Sequence, residues 1–163
     1  MAFTLFWKKD GPGGFMSQWF QSKFTVDAQE FTTAEQYMMY RKALLFNDSG
    51  VAAKILDTKS PRTVKSLGRQ VQGFRESVWK DHREQIVYDG NYAKFSQSEM
   101  LKKLLLDTGE SILAEASPYD MIWGIGLDPK HKNAKNPVAW PGKNLLGNAL
   151  MAVRSAIRQE AEN

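Results

Sequence analysis

The stretch from Ser117 to Met151, SPYDMIWGIGLDPKHKNAKNPVAWPGKNLLGNALM, constrains this chain more than any other. It sets an acid, two tryptophans and a scatter of glycines and prolines where a compact domain normally has a short connection. Loops longer than roughly 12–15 residues without their own secondary structure are uncommon, and are either functional or disordered. Trp123, Trp140, Ile122 and Ile125 argue against disorder, because they are costly to leave in water. The expectation is an ordered site loop that leads into a terminal helix.

The remaining residues must supply the core. With 163 residues, the chain is expected to form one domain, 1–163, able to bury roughly 70% of its unfolded surface. The absence of cysteine rules out disulfides and thiol chemistry, and only two histidines, His82 and His131, are present. No metal or other cofactor is therefore expected. No apolar run approaches the roughly 20 residues that span a bilayer, and the N-terminus lacks a signal-peptide pattern. A soluble, cytoplasmic protein with no membrane partner is expected. The net charge of +4 is spread along the chain without a block of like charges. That suits a solvated surface, or a modest attraction for a phosphorylated ligand, better than the basic stripe of a nucleic-acid binder.

Taken in order, residues 1–31 alternate as short strands do. Phe3, Leu5 and Trp7 share one parity, and a second run after Gly11-Pro12-Gly13-Gly14 holds Trp19, Phe24 and Val26. Aromatic and β-branched residues between such breaks predict a small antiparallel sheet. Thr32 with Glu35, or equally Thr33 with Gln36, fits the capping box of a helix running to about Phe46. A second helix follows over 51–57, and Ser60-Pro61 opens a third that ends near Gly68. Ser77 to about Phe95 reads as a longer helix, kinked or broken at Gly90. Ser96 or Ser98 caps the next one, with Met100, Leu101, Leu104 and Leu105 as its apolar face. Ile112–Glu115 reads as a strand entering the loop. Leu146, Ala149, Leu150, Val153 and Ile157 give a last helix over about 143–159. The fold class is mainly α (α+β): a helical fold with a small N-terminal antiparallel β element.

Several residues carry possible chemistry. Glu35 is either the third-position member of a capping box or a carboxylate in the first helical turn held anionic by the helix dipole, suited to stabilising positive charge. Lys42 lies two turns further along the same face. It is either a snorkelling surface lysine, or a phosphate holder or amine nucleophile. Trp79 reads as core. Trp123 sits between Asp120 and the glycines Gly124 and Gly126, so its indole can stack on a ring while the glycines let backbone approach a ligand. Asp120 is a turn residue after Pro118 or, with Glu35, one of two carboxylates for cleaving a glycosidic bond. Asn144 reads as a cap for the last helix, and the amides of Trp140-Pro141-Gly142-Lys143 as an anion site at its start.

Thr33-Ala34-Glu35-Gln36-Tyr37, Lys42-Ala43, Leu67-Gly68-Arg69, Trp79, Ala93-Lys94-Phe95, Leu105 to Gly109, Asp120-x-x-Trp123-Gly124-x-Gly126 and the Trp140-to-Arg154 pattern follow one another in an order that resembles the NADAR superfamily. The resemblance covers roughly residues 3–158, and its best-known members are the YbiA-like N-glycosidases. It implies hydrolysis of a bond between ribose and a nitrogenous group. The implied substrates are ribosylamino-pyrimidine phosphates of the riboflavin pathway or ADP-ribosylated guanine in nucleic acid. By position, the functional glutamate falls on Glu35, the lysine on Lys42, and the helical tryptophan on Trp79. The loop acid and tryptophan fall on Asp120 and Trp123, with Gly124, Gly126, Asn144 and Arg69 as further substrate contacts.

The chain departs from the family pattern at Gln36, where histidine is usual. It departs again at Ser17-Gln18-Trp19, where Ser-Asn usually precedes an aromatic residue. The chemistry expected of these residues is charge stabilisation or proton transfer by Glu35, attack or sugar binding by Lys42, and orientation of ribose hydroxyls by Asp120. A non-catalytic binder of ADP-ribose or nucleotides using the same residues is the alternative, and a nucleic-acid-binding module the least supported one.

Overall fold

The computed structural model describes all residues, 1–163. The chain packs as two compact units, one formed by Met1–Ser17 with Phe95–Asn163 and the other by Gln18–Lys94.

In the first unit, β1 (Phe3–Phe6) pairs in parallel with β4 (Ile112–Glu115), Phe3 opposite Ile112 and Phe6 opposite Glu115. The pairing expected for β1 was antiparallel and local. Its partner instead lies more than a hundred residues away, and parallel strands cannot be joined by a tight turn but need a crossover of at least about a dozen residues. A short helix, α5 (Glu99–Leu106), precedes β4, and its cap is Ser98 rather than Ser96, with Leu101 N donating to Ser98 Oγ across 3.2 Å. The terminal helix α6 (Leu145–Glu162) starts two residues later than the periodicity predicts and runs three further. It packs on β4 and buries Leu146, Leu150, Val153 and Ile157. Arg154 fastens it by donating to Thr108 Oγ1 and to Ser111 O, each at 2.8 Å.

In the second unit, β2 (Phe24–Val26) and β3 (Gln29–Phe31) form the antiparallel pair that the N-terminal pattern predicts. Asp27 and Ala28 make their two-residue turn, both with positive φ, the geometry that matches strand twist. Trp19 lies outside any strand, which limits the second run to Phe24–Val26. Four helices follow: α1 (Ala34–Leu45), α2 (Ser49–Leu56), α3 (Pro61–Gly68) and α4 (Glu76–Ser96), whose last two residues belong to the first unit. Phe31 packs edge-on against Tyr37 and Tyr40, joining the hairpin to α1.

No break occurs at Gly90, for α4 is continuous through it. The glycine is there for space. A Cβ on Gly90 would lie 2.6 Å from Tyr37 Cδ1, so its absence lets the tyrosine ring seat against α4. Gly68 does the same for α3, where a Cβ would meet Met39 Sδ at 2.1 Å. No helix is long and apolar enough to cross a membrane.

Candidate functional site

The start of α1 decides what Glu35 is free to do. Two capping boxes fit the sequence, and the chain uses the later one. Thr33 is the N-cap, its Oγ1 accepting from Gln36 N at 3.0 Å. Gln36 Oε1 reaches back past the cap to the preceding residue, accepting from Thr32 N across 2.8 Å. Its Nε2 donates to Ile55 O and Thr58 O, both at 3.0 Å, and the side chain is 3% exposed. Gln36 is thus spent on joining the helix start to the end of α2. The departure from histidine at this position is a structural brace.

Glu35 therefore has no capping duty. It is 6% exposed, and its Oε1 accepts from Trp19 Nε1 at 3.3 Å, while its own amide donates to Gln18 O at 3.0 Å. A buried carboxylate in the first turn of a helix gains from the positive end of the helix dipole, which favours its anionic form.

Two turns on, Lys42 is half-buried on the same face. Its Nζ lies 4.6 Å from the Phe74 ring centroid and 5.7 Å from that of Trp79. Burial pushes its pKa below the ordinary lysine value, the Glu35 charge partly opposes this, and the Arg69 guanidinium adds to it. Arg69 follows Gly68 at the end of α3, and the close packing of Gly68 on Met39 brings it to this face of α1. Glu35, Lys42, Arg69 and Trp79 are thus brought together within one unit. Two partners are not marked as site residues by the sequence: Phe74, which follows Gly73 with no local pattern, and Trp19, which reads as a strand residue next to a departure from the family pattern.

The remaining candidates belong to the other unit. Asp120 is half-buried, and its Oδ1 accepts from Ile122 N at 2.9 Å and Trp123 N at 2.8 Å, which shapes the loop into a turn. At Gly124 the backbone that approaches is the protein's own, since a Cβ would lie 2.8 Å from Glu115 O. Gly126 adopts φ +78 with Met121 and Pro141 beside it. Asn144, buried and with φ 54, does not cap α6 with its side chain. It bridges strand and helix instead, Oδ1 accepting from Glu115 N at 3.1 Å and Nδ2 donating to Leu113 O at 3.0 Å.

The anion site expected at the start of α6 is not available. The amides of Gly142, Lys143, Asn144, Leu145 and Leu146 donate to the carbonyls of Ile125, Met121, Gly124, Ile122 and Trp123. A helix leaves its first amides without internal partners, and here the site loop fills them. The loop from Ser117 is ordered because it is the cap of α6.

The NADAR domain family matches residues 5–158. N-glycosidase R617 of Acanthamoeba polyphaga mimivirus is 44% identical over 148 residues, covering 88% of this chain and 87% of that protein. A riboflavin biosynthesis protein of Vibrio vulnificus (strain YJ016) is 28% identical over 156 residues, covering 96% of this chain and 39% of that longer protein. The NMR structure of the E. coli protein YbiA matches with a TM-score of 0.81 at 27% identity, covering 100% of this chain and 90% of that one. The mainly helical fold with a minor β component is the fold of that relative.

Proposed function

The chain belongs to the NADAR family, and from that premise we propose that it is an N-glycosidase. It hydrolyses the C–N bond between ribose and a nitrogenous group in a phosphorylated ribosyl compound. The observation that carries this reading is the amine of Lys42, its pKa lowered by burial beside Phe74 and Trp79, on the helical face it shares with buried Glu35. The names of the mimivirus N-glycosidase and the Vibrio riboflavin biosynthesis protein point the same way.

The substrate is a ribosylamino-pyrimidine phosphate, whose ribose C1′ is bonded to an exocyclic amine. Such a sugar ring-opens to an imine at C1′. The neutral Lys42 amine adds to C1′, and Glu35 takes in turn the two protons that the lysine nitrogen sheds and passes each to the departing nitrogen. The bond from C1′ to the pyrimidine amine breaks and leaves an imine between Lys42 and the sugar. Water then adds to C1′, releasing the open-chain sugar phosphate and restoring the amine. Trp79 and Phe74 keep water from the lysine until the substrate is bound, and Arg69, exposed at the rim, holds the phosphate.

The test is incubation with ribosylamino-pyrimidine phosphate and, separately, with ADP-ribosylated guanine in DNA, followed by product separation. Free base and sugar phosphate from the first, lost in Glu35→Ala and Lys42→Ala, support the proposal, and borohydride should trap the sugar on Lys42. Release of ADP-ribose from the second alone moves the substrate to nucleic acid. A ligand that raises the melting temperature without turnover overturns hydrolysis in favour of binding. Asp120→Asn, which keeps the Oδ1 acceptor for the loop amides, reports whether that charge contributes to turnover.

A further inference from the structure

The chemistry above makes no use of the most deeply buried ionisable group in the chain. Lys94, in the Ala93-Lys94-Phe95 motif, is 0% exposed, as is Asn91 one turn before it on α4. Burying an ammonium is costly, and an apolar side chain of the same length would pack there without that cost. Burial brings the Lys94 pKa down to about 7.

Both residues touch the short segment Gln18-Trp19-Phe20. Asn91 Nδ2 donates to Gln18 Oε1 at 2.9 Å and to Val87 O at 2.9 Å. Lys94 Nζ lies 5.5 Å from the Phe20 ring centroid. The residue between these two anchors is Trp19, which donates to Glu35, and Gln18 O also receives the Glu35 amide. The segment is therefore a strap, held at both ends by α4 and pressing its middle on the carboxylate.

We propose that Asn91 and Lys94 are positioning residues for Glu35, acting through the Gln18–Phe20 strap. The idea rests on the reading of Glu35 as the reacting carboxylate, but the placement of the strap can be tested without turnover. A fixed strap keeps the Trp19 indole on one carboxylate oxygen. A loose one weakens that hold on the Glu35 carboxylate, and a displacement of an ångström costs up to about a hundredfold in rate.

The test uses the full chain with Lys94→Met and, at a half-exposed position, Gln18→Leu, so that one variant serves should the other fail to fold. The indole N–H of Trp19, assigned by its loss in Trp19→Phe, is followed by NMR for chemical shift and hydrogen exchange. Both variants should shift that resonance and speed its exchange. They should also lower kcat by about tenfold or more at unchanged KM, in protein that still melts cooperatively. An unmoved Trp19 resonance with unchanged exchange overturns the proposal. If the wild type turns over nothing, the glycosidase reading fails, while the indole measurement still decides the strap.

Discussion

Trp19 Nε1 donates to Glu35 Oε1 across 3.3 Å, joining a residue outside all regular structure to the first turn of α1. The bond holds one oxygen of the carboxylate in a fixed direction at the start of the helix. Glu35→Gln should keep the fold, because the amide oxygen can still accept from the indole. It should lower kcat by about a hundredfold or more, the usual worth of a general acid–base group. Trp19→Phe removes the donor with part of the indole's bulk and leaves the carboxylate charged, so a smaller loss of about tenfold is expected. Steady-state kinetics with thermal melts on the same samples separates the two effects.

Lys42 must be neutral to attack, so kcat/KM should rise with pH along a limb set by its folded pKa, below the ordinary lysine value. Phe74→Leu opens one wall to water and relieves the burial that depresses the pKa. The limb should then move to higher pH. A pH–rate profile of the two proteins decides this, and a limb that stays in place would count against Lys42 as the nucleophile.

Gln36→Ala should damage stability rather than chemistry. It removes a donor from the carbonyls of Ile55 and Thr58 and strands the amide of Thr32, although Ile55 O keeps its backbone donors. Unsatisfied buried groups of this kind cost about 1–3 kcal/mol each, so a fall in melting temperature of at least about 4 °C is expected for a chain of this size. Activity per folded molecule should be nearly unchanged, as calorimetry paired with kinetics below the transition would show.

Gly90→Ala should destabilise although alanine is the better helix former. The propensity gain is about 1 kcal/mol, but the new methyl meets the Tyr37 ring at 2.6 Å. Overpacking costs about 1–3 kcal/mol, so the net effect is a loss of about 1 kcal/mol in a denaturant melt. A glycine placed to kink the helix would instead give a gain on substitution.

The sign of the pH dependence of stability follows from the lysines. Lys94 has a folded pKa of about 7 against an ordinary 10.5, and Lys42 is shifted in the same direction. Between those values the unfolded chain holds protons that the folded chain has released, so stability should rise with pH from about 7 toward 10.5. Tyr37 works against this at the top of the window, since burial raises its pKa and its contribution is lost as pH climbs above 10. Lys94→Met should flatten most of the rise when urea melts are compared across this range.

Local chemistry in the sequence determined the helices. The spacing of apolar residues and the caps Asp48, Ser60 and Ser98 lie within a few positions of what they act on. Glu35, Met38, Met39 and Lys42 share a face of α1 for the same reason, because helical spacing alone sets it. The Asp27-Ala28 turn between β2 and β3 belongs to this class too.

Tertiary structure decided the rest. Whether Thr32–Glu35 or Thr33–Gln36 formed the capping box could not be read locally, because the choice depends on Ile55 and Thr58, which accept the second half of Gln36. The same holds for β1, whose partner β4 lies at the other end of the chain, and for Gly90, whose role is the Tyr37 ring. The lowered pKa of Lys42 has its largest cause in burial, and burial is a property of Phe74, Trp79 and their surroundings together. The anion site at the start of α6 failed on the same ground, since its amides were promised to a loop that only the folded chain brings there. Bonds between neighbours in sequence are set by local geometry, whereas desolvation and long-range hydrogen bonds depend on what the packed chain puts beside each group.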